Sequence, residues 1–180
     1  DFIIFHAVDH IYRFNVLTLD LDSLRLPEEI KWGDNTKFNF RNNYLHLNDN
    51  KYNNYLVNVD SMALENLNLN GYLISLTYDH MIFGNSENNL VYSYNLSTRE
   101  IDTLTTKLES CYYHVQSKYC VFLDTLGFLY ASDGTSGNTF KLLNDEVLDY
   151  KNLSNDSTLM ILYLEKTKNY LELLIMKNNG

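Results

Sequence analysis

Short apolar segments separated by tight polar turns run along the whole of this chain. Residues 73–106 show the pattern most clearly, with apolar or alternating segments at 73–77, 81–84, 90–96 and 101–106. The segments are rich in aromatic and β-branched residues, and their length of four to seven residues is typical of strands rather than helices. The pattern therefore predicts a sheet of four antiparallel strands joined by tight turns.

The same plan recurs in other parts of the chain. Residues 37–69 and 112–143 each divide into four short apolar segments, and the first segment of the second unit lies at 112–116. Residues 1–26 and 147–180 have the pattern of partial units. We expect the chain to open in a second strand, because its first apolar run is followed at once by another strand and turn.

Residues 159–174 are the stretch in which helical periodicity competes best with a strand pattern. A polar break at residues 166–169 favours the two strands of a hairpin over a single helix. The sequence as a whole therefore predicts an all-β protein.

An internal repeat supports this division into units. The segments IYRFNV at residues 11–16 and VYSYNL at residues 91–96 lie 80 residues apart and agree position by position in hydrophobic and polar character. Related segments begin at residues 56, 129 and 171, so that the average spacing is 40 residues. Propeller blades repeat at about 40–45 residues. The spacing predicts blades of four antiparallel strands with about 40 residues in each blade.

The units resemble the blades of WD40-like β-propellers, and the resemblance extends over nearly the whole chain. It is carried by third strands of the form Ile11-Tyr12-x-Phe14-Asn15 and Val91-Tyr92-x-Tyr94-Asn95. WD40 repeats usually close this strand with Trp-Asp and have Gly-His near the start of the blade. Here an aromatic residue and Asn take the place of Trp-Asp, and Gly-His is absent. The resemblance implies that residues 1–180 form one fragment of a larger propeller of roughly six to eight blades.

Partial blades at both ends would leave sheet edges without a neighbour. An open edge presents unpaired backbone donors and acceptors, which serve as a template for strand addition. We therefore expect that the 180-residue piece does not form an independent closed ring. Its edges would be completed by further residues of the same protein or by a strand of a partner.

Charge and composition exclude several classes of partner. The net charge of −9 and the pI near 4.9 disfavour contact with phosphate backbones, so no direct nucleic-acid partner is expected. No window approaches the ~20 apolar residues of a membrane span. The two cysteines, Cys111 and Cys120, are too few for a disulfide framework and are either paired with each other or free. We expect an intracellular protein, cytoplasmic or nuclear.

The residues that could carry catalysis do not form a recognisable constellation. The histidines have no spacing typical of metal ligands, although His114 lies in a predicted first strand, which in a propeller lines the central channel. No phosphate-binding glycine loop and no Ser/His/Asp arrangement is visible. We therefore expect no enzymatic activity, no catalytic residues, no metal site and no cofactor.

One turn suggests an alternative function. The segment DGTSGNTF at residues 133–140 is a near miss to the Asp-box of sialidase-type propellers, Ser-x-Asp-x-Gly-x-Thr-Trp. In this sequence Asp133, Thr135 and Phe140 replace the Ser, Asp and Trp. The chain also contains matches to the N-glycosylation pattern. These features leave open a secreted or surface carbohydrate-binding propeller.

Blade repetition without catalytic residues favours a non-enzymatic scaffold or protein-interaction propeller that is a subunit of a large multi-protein complex. Its partners would be other proteins of that complex. Exposed tyrosines are frequent hot spots in protein interfaces. The candidate partner-binding residues are the tyrosines near predicted turns: Tyr52, Tyr55, Tyr78 and Tyr113.

Overall fold

Strands make up nearly all of the regular structure of this protein, as the alternating pattern predicts. The computed structural model describes residues 2–7, 9–30, 39–41, 43–49, 51–77, 79–85, 87–111, 114–115, 118–154 and 158–177, with the backbone alone at 39–41 and 114–115. Within these residues the single helical element is a 3-10 turn, Ser136–Asn138. The chain divides into two compact units, Asp1–Gly71 (unit 1) and Tyr72–Gly180 (unit 2).

Unit 1 contains two antiparallel sheets. Sheet A has the strands β1 (Phe2–Ala7), β2 (His10–Asn15) and β3 (Leu21–Arg25) in that order. Sheet B has the strands β4 (Asn39–Arg41), β5 (Tyr44–Asn48), β6 (Asn53–Asn58) and β7 (Ala63–Asn70), also in chain order. Both sheets contribute to one core of Ile11, Leu26, Ile30, Leu45, Leu47, Tyr55, Val57 and Val59.

Unit 2 contains three sheets. Sheet C has four antiparallel strands, β8 (Tyr72–Leu76), β9 (His80–Asn85), β10 (Leu90–Asn95) and β11 (Ile101–Thr105). Sheet D is formed by β12 (Leu108–Cys111), β14 (Cys120–Asp124), β15 (Leu129–Ser132) and β16 (Thr139–Lys141), whereas the short β13 (His114–Val115) pairs in parallel with β8 of sheet C. Sheet E has β17 (Val147–Asn152), β18 (Thr158–Glu165) and β19 (Leu171–Lys177).

Consecutive sheets of unit 2 pack face to face. The core between sheets C and D is formed by Ile74, Ile82, Val91, Leu108, Cys120 and Phe122. The core between sheets D and E is formed by Val121, Leu123, Leu129, Ala131, Val147, Tyr150, Leu159, Ile161 and Tyr163. Successive side chains of a strand point to opposite faces, so Phe122 packs towards sheet C and Val121 packs towards sheet E. Sheet D is therefore buried on both faces.

The predicted positions of the strands are confirmed in two segments of the chain and wrong in one. Residues 73–106 form a four-stranded antiparallel sheet, and residues 159–174 lie in the hairpin of β18 and β19. The first strand of sheet D was predicted at 112–116, of which only 114–115 are described, and these residues pair with β8 of sheet C, whereas β12 pairs with β14. Leu108 anchors β12 and is only 2% exposed. A single buried leucine gives little periodic signal, whereas the aromatic residues after β12 favoured the wrong segment.

The 80-residue repeat is confirmed in its register. Tyr12 lies in β2 opposite Phe5 of β1, and the two rings stack with centroids 5.1 Å apart. Tyr92 lies in β10 opposite Phe83 of β9, and their rings stack at 5.5 Å. Both tyrosines therefore occupy the same place in a strand pair. Such aromatic pairs contribute about 0.5–1.5 kcal/mol beyond the area that they bury.

The asparagine that closes the repeated strand has a structural role that explains its place in the motif. The Oδ1 atoms of Asn15, Asn58 and Asn95 each accept hydrogen bonds from the backbone N–H groups two and three residues further on, at 2.8–3.3 Å. Each side chain thereby holds the turn to the next strand. The fourth residue after each asparagine has a positive φ: Leu19 (62°), Met62 (51°) and Arg99 (66°).

Candidate functional site

The four tyrosines proposed from the sequence do not form one described surface. Tyr52 is 55% exposed in the turn between β5 and β6 and has a φ of 61°. Tyr55 is only 7% exposed and belongs to the core of unit 1, because both faces of β6 are covered. Burial, assisted by the charge of Asp49, raises the pKa of the Tyr55 hydroxyl. Tyr55 therefore does not offer the exposed ring that the sequence suggested, and Tyr78 and Tyr113 lie outside the described residues.

A groove of about 530 Å³ lies between sheets C and D of unit 2. One wall is residues 103–107, the end of the outer strand β11 and the turn after it. The floor and the opposite wall belong to sheet D and consist of Phe122, Asp124, Leu126, Phe128, Tyr130, Thr139 and Lys141. Sites for small ligands generally occupy about 300–1,000 Å³, so this groove (the C–D groove) is large enough to hold one.

Strand register places the floor residues of the C–D groove on one face. Phe122 of β14 lies opposite Tyr130 of β15, and Tyr130 lies opposite Lys141 of β16. The rings of Phe122 and Tyr130 stack at 5.8 Å. The Lys141 ammonium group lies 3.2 Å from the centre of the Phe128 ring, a cation–π contact. An aromatic floor thus ends at a positive charge.

The electrostatics of the C–D groove are mixed but locally positive. Lys107 and Lys141 stand on its two walls, and within the described part of the chain no ion pair joins either ammonium group to a carboxylate. Asp124 is buried, and its Oδ1 accepts hydrogen bonds from the backbone N–H groups of Leu126 (2.9 Å) and Phe128 (2.8 Å). The Asp124 carboxylate is therefore engaged by its own turn. Burial and this carboxylate raise the pKa of Tyr130.

Sequence reasoning missed the C–D groove because its two sides come from different sheets. Lys107 and Lys141 are 34 residues apart, and only the packing of sheet C on sheet D brings them to the same groove. The one local signal is the polar alternation of Thr103, Thr105 and Lys107 along an outer strand. Such alternation is typical of any solvent-facing strand, so it does not identify a binding site.

The Asp-box-like turn joins sheet D to sheet C. The Asp133 carboxylate accepts hydrogen bonds from the backbone N–H and the hydroxyl of Thr135 and from the side-chain amide of Asn138. Backbone groups of the turn bond with sheet C: the Ser93 hydroxyl donates to the carbonyl of Gly134, and the Ser136 N–H donates to Asp102 at 2.8 Å. That last bond lowers the pKa of Asp102. These polar groups thus serve the packing of the two sheets.

A buried polar pair lies in unit 1. His46 is 2% exposed, and its Nε2 lies 2.8 Å from Oδ1 of Asn54. The Asn54 Nδ2 atom faces backbone carbonyls, so Oδ1 acts as the acceptor and Nε2 of His46 carries the proton. Burial lowers the pKa of His46 from 6.5 to about 4, although the Asn54 hydrogen bond opposes this effect. His46 is therefore neutral in the folded protein at pH 7.

We expect acid to destabilise unit 1 through His46. The folded pKa of about 4 lies below the ordinary value of 6.5, so the unfolded chain binds the proton first. Stability is then present above pH 6.5 and is lost as the pH falls from 6.5 to 4, by up to about 3 kcal/mol. Urea unfolding between pH 7 and pH 4 measures this loss. The His46→Leu variant is the control, and an equal pH slope in both proteins would contradict the assignment.

The two thiols are free, which answers the question left open by the sequence. The Cys111 Sγ–H donates to the Tyr72 hydroxyl at 3.2 Å, and Cys120 is buried between sheets C and D. Burial raises the pKa of Cys111 to about 11 and also raises that of Cys120. A thiol with a raised pKa is a poor nucleophile at neutral pH. Both thiols therefore have the properties of packing residues.

The described residues contain neither a group of metal ligands nor a helix that could cross a membrane. Among the described residues, no three His, Cys, Asp or Glu side chains are grouped so that they could hold a metal ion. The side chain of His114 is outside the part that the structure describes. The same part of the chain contains no helix that is long and apolar enough to cross a membrane.

Comparison with known proteins shows similarity at the level of the fold. No protein-family model matches the sequence, and no curated protein matches it. The chain is similar in structure to the N-terminal domain of Nup159, with a TM-score of 0.53 and 10% identity over 99% of this chain and 56% of that one. The structure of S. cerevisiae Dbp5 bound to Nup159 also matches, with a TM-score of 0.53 and 10% identity over 97% of this chain and 54% of that one.

Two further similar structures come from proteins of other kinds. TolB from Agrobacterium tumefaciens has a TM-score of 0.52 and 9% identity, and the match covers 99% of this chain and 74% of TolB. An oligogalacturonate lyase in complex with manganese has a TM-score of 0.53 and 9% identity, with coverage of 94% and 56%. This chain thus spans little more than half the length of the Nup159 N-terminal domain and of the lyase chain. Identities of this size show the fold alone.

These neighbours are β-propellers. Together with the sheets of three or four antiparallel strands that pack face to face in unit 2, they define the class of this protein. It is an all-β protein with a propeller-like fold. The fold supports both enzymes and binding proteins, so function has to be argued from surfaces and side chains.

Proposed function

We propose that this chain is a non-enzymatic, WD40-like propeller module that binds other proteins and works inside the cell as a subunit of a multi-protein assembly. The observation that carries the proposal is the presence of two exposed apolar sheet faces, one on sheet A and one on sheet E. Contiguous exposed apolar surfaces of this kind mark interaction sites in soluble proteins.

The outer face of sheet A (face A) is aromatic. It consists of the side chains opposite to the core of unit 1: Ile3, Phe5, Tyr12, Phe14 and Leu21. Ile3 is 52% exposed, Phe5 is 44% exposed and Leu21 is 57% exposed. In sheet D the corresponding stacked pair, Phe122 and Tyr130, lies on the face that packs against sheet C. Face A therefore has the composition of a face that is covered by another sheet.

The outer face of sheet E (face E) is aliphatic. Its members are Met160, Leu162, Leu164, Leu171, Leu173 and Ile175. Leu171, Leu173 and Ile175 are each more than half exposed. The corresponding aliphatic face of sheet D, with Val121 and Leu123, is covered by sheet E. We propose that faces A and E are covered by β-sheets of other subunits.

The comparisons support a binding role without deciding it. In the complex with Dbp5, Nup159 is bound to another protein, and we carry this kind of role over to the present chain as part of the proposal. The oligogalacturonate lyase is an enzyme on the same fold. The local roles of the polar groups support the non-enzymatic interpretation. The Asp-box-like turn joins two sheets, and the raised pKa values of Cys111 and Cys120 are those of thiols that pack in a core.

Faces A and E should make the isolated chain associate. In sedimentation velocity we expect the 180-residue chain to form oligomers, and we expect the double variant Ile3→Ser, Leu173→Ser to weaken association at least tenfold, because it removes two apolar contacts of ~1–3 kcal/mol each. The matched control (the turn control) is Leu17→Ser, Leu153→Ser, which changes leucines that are 80% and 41% exposed but lie in connections between strands, outside both faces. A wild-type chain that is a monodisperse monomer with a cooperative melt would overturn the proposal.

An affinity purification separates the two function classes. Recovery of a stable set of protein partners that is lost in the Ile3→Ser, Leu173→Ser variant, but kept in the turn control, supports the scaffold. Binding to a glycan array without protein partners would favour the carbohydrate-binding alternative, which the Asp-box-like turn motivates.

A further inference from the structure

Two edge strands border the C–D groove. In sheet C, β11 is the outermost strand and pairs only with β10 among the described strands, and in sheet D β16 pairs only with β15. The outer edge of each strand presents backbone N–H and C=O groups that a further strand can bond. An extended peptide in the C–D groove would therefore find backbone partners as well as side chains.

The charge of the C–D groove differs from that of the whole chain. The protein has a net charge of −9, but the groove has a lysine on each wall and one buried carboxylate, Asp124, which already accepts two backbone hydrogen bonds. Lys107 and Lys141 are both exposed. A ligand with carboxylates can therefore pair with them at a small desolvation cost.

The floor and walls add apolar and hydroxyl contacts. Phe128 and Tyr130 are half-buried and offer ring surface. Thr103 and Thr105 line the wall that β11 forms. Thr139 lines the opposite wall, but its hydroxyl already donates within sheet D, to the Ser132 hydroxyl and the Thr135 carbonyl. A strand alternates its side chains between two faces, so a peptide of alternating acidic and apolar residues could meet the lysines with one set and the rings with the other.

We infer that the C–D groove binds an extended acidic peptide segment of a partner protein, which pairs with the outer edge of β11 and places carboxylates against Lys107 and Lys141. This inference rests on the proposed protein-binding function and gives it a second surface, apart from faces A and E. The partner segment is acidic and alternates charged with apolar residues.

The test uses the whole chain and a labelled peptide of about ten alternating glutamate and valine residues. We expect saturable binding by fluorescence anisotropy that weakens with salt, and slower hydrogen exchange of β11 amides when the peptide is bound. The Lys107→Glu, Lys141→Glu variant should bind about tenfold or more weakly, because two attractive charge contacts become repulsive. The control is Lys51→Glu, Lys177→Glu, which makes the same change in net charge at exposed lysines that do not line the groove.

Three results would overturn the inference. One is the absence of binding by the wild-type chain, and another is equal weakening by both charge variants, which would indicate only long-range repulsion. The third is binding of an acidic oligosaccharide, trigalacturonate, in the groove with no binding of the peptide. None of these results changes the association of faces A and E, so failure here is distinguishable from failure of the proposed function.

Discussion

The Asn54→Leu variant should lose about 5 kcal/mol of the free energy of unfolding of unit 1. Asn54 is 0% exposed, and its Nδ2 lies within 3.0 Å of the carbonyl oxygens of Tyr52, Leu69 and Gly71. Its Oδ1 accepts the bond from His46. Leucine has a similar size but leaves these buried groups without their partner, at about 1–3 kcal/mol for each. Losses of this size are exceptional for a single substitution.

Urea unfolding monitored by circular dichroism measures the effect of Asn54→Leu. The control is Asn66→Leu on the exposed side of β7, where Oδ1 accepts one turn bond from the N–H of Asn68 at 2.8 Å. That change should cost about 1 kcal/mol. Similar losses in the two variants would mean that the carbonyls around Asn54 find other donors, and the polar pair would then not be a key support of sheet B.

Most of the sheet plan follows from the sequence because it depends on local pattern. The turns after Asn15 and Asn95 can be predicted from the sequence, since the asparagine side chain accepts hydrogen bonds from the turn that directly follows it. The first strand of sheet D was predicted at 112–116 and not at β12. The reason is that β12 is held by Leu108, which lies in the core between two sheets, and no local pattern reveals this burial. The hairpin of β18 and β19 was predictable because a polar break divides it.

The candidate site was far less predictable than the fold. Tyr55 is near a turn in the sequence but is buried, because β6 is covered on both faces. Lys107 and Lys141 belong to separate sheets, and the C–D groove exists only after those sheets pack. The sequence led us to expect open strand edges at incomplete blades, and it did not predict faces A and E, which are sheet faces without a covering sheet. The sequence could not show which side chains they expose, because strand register decides this.

Gly134→Ala should destabilise unit 2 by about 4 kcal/mol. A Cβ atom at this position would lie 2.6 Å from Cβ and Cγ of His80, near the base of that side chain, so the turn or the start of β9 must move. Overpacking of this kind costs about 1–3 kcal/mol. The φ of +106° adds about 1–2 kcal/mol, since L residues avoid positive φ. The movement also disturbs the bond from the Ser93 hydroxyl to the Gly134 carbonyl.

Two other glycines separate the causes of the Gly134→Ala effect. Gly127 has a φ of +83°, but an added Cβ would meet its nearest atom at an ordinary 3.5 Å, so Gly127→Ala should cost only about 1–2 kcal/mol from the backbone. Gly137 has no atom within 4 Å of an added Cβ, and Gly137→Ala should leave stability within about 0.5 kcal/mol. Chemical denaturation of the three variants gives the order. Equal losses for Gly134→Ala and Gly127→Ala would show that His80 yields to the new methyl group. A larger loss of stability for Gly134→Ala than for Gly127→Ala would show that the Asp-box-like turn is held rigidly against sheet C. Both variants share the cost of a positive φ, so the difference measures the contact with His80.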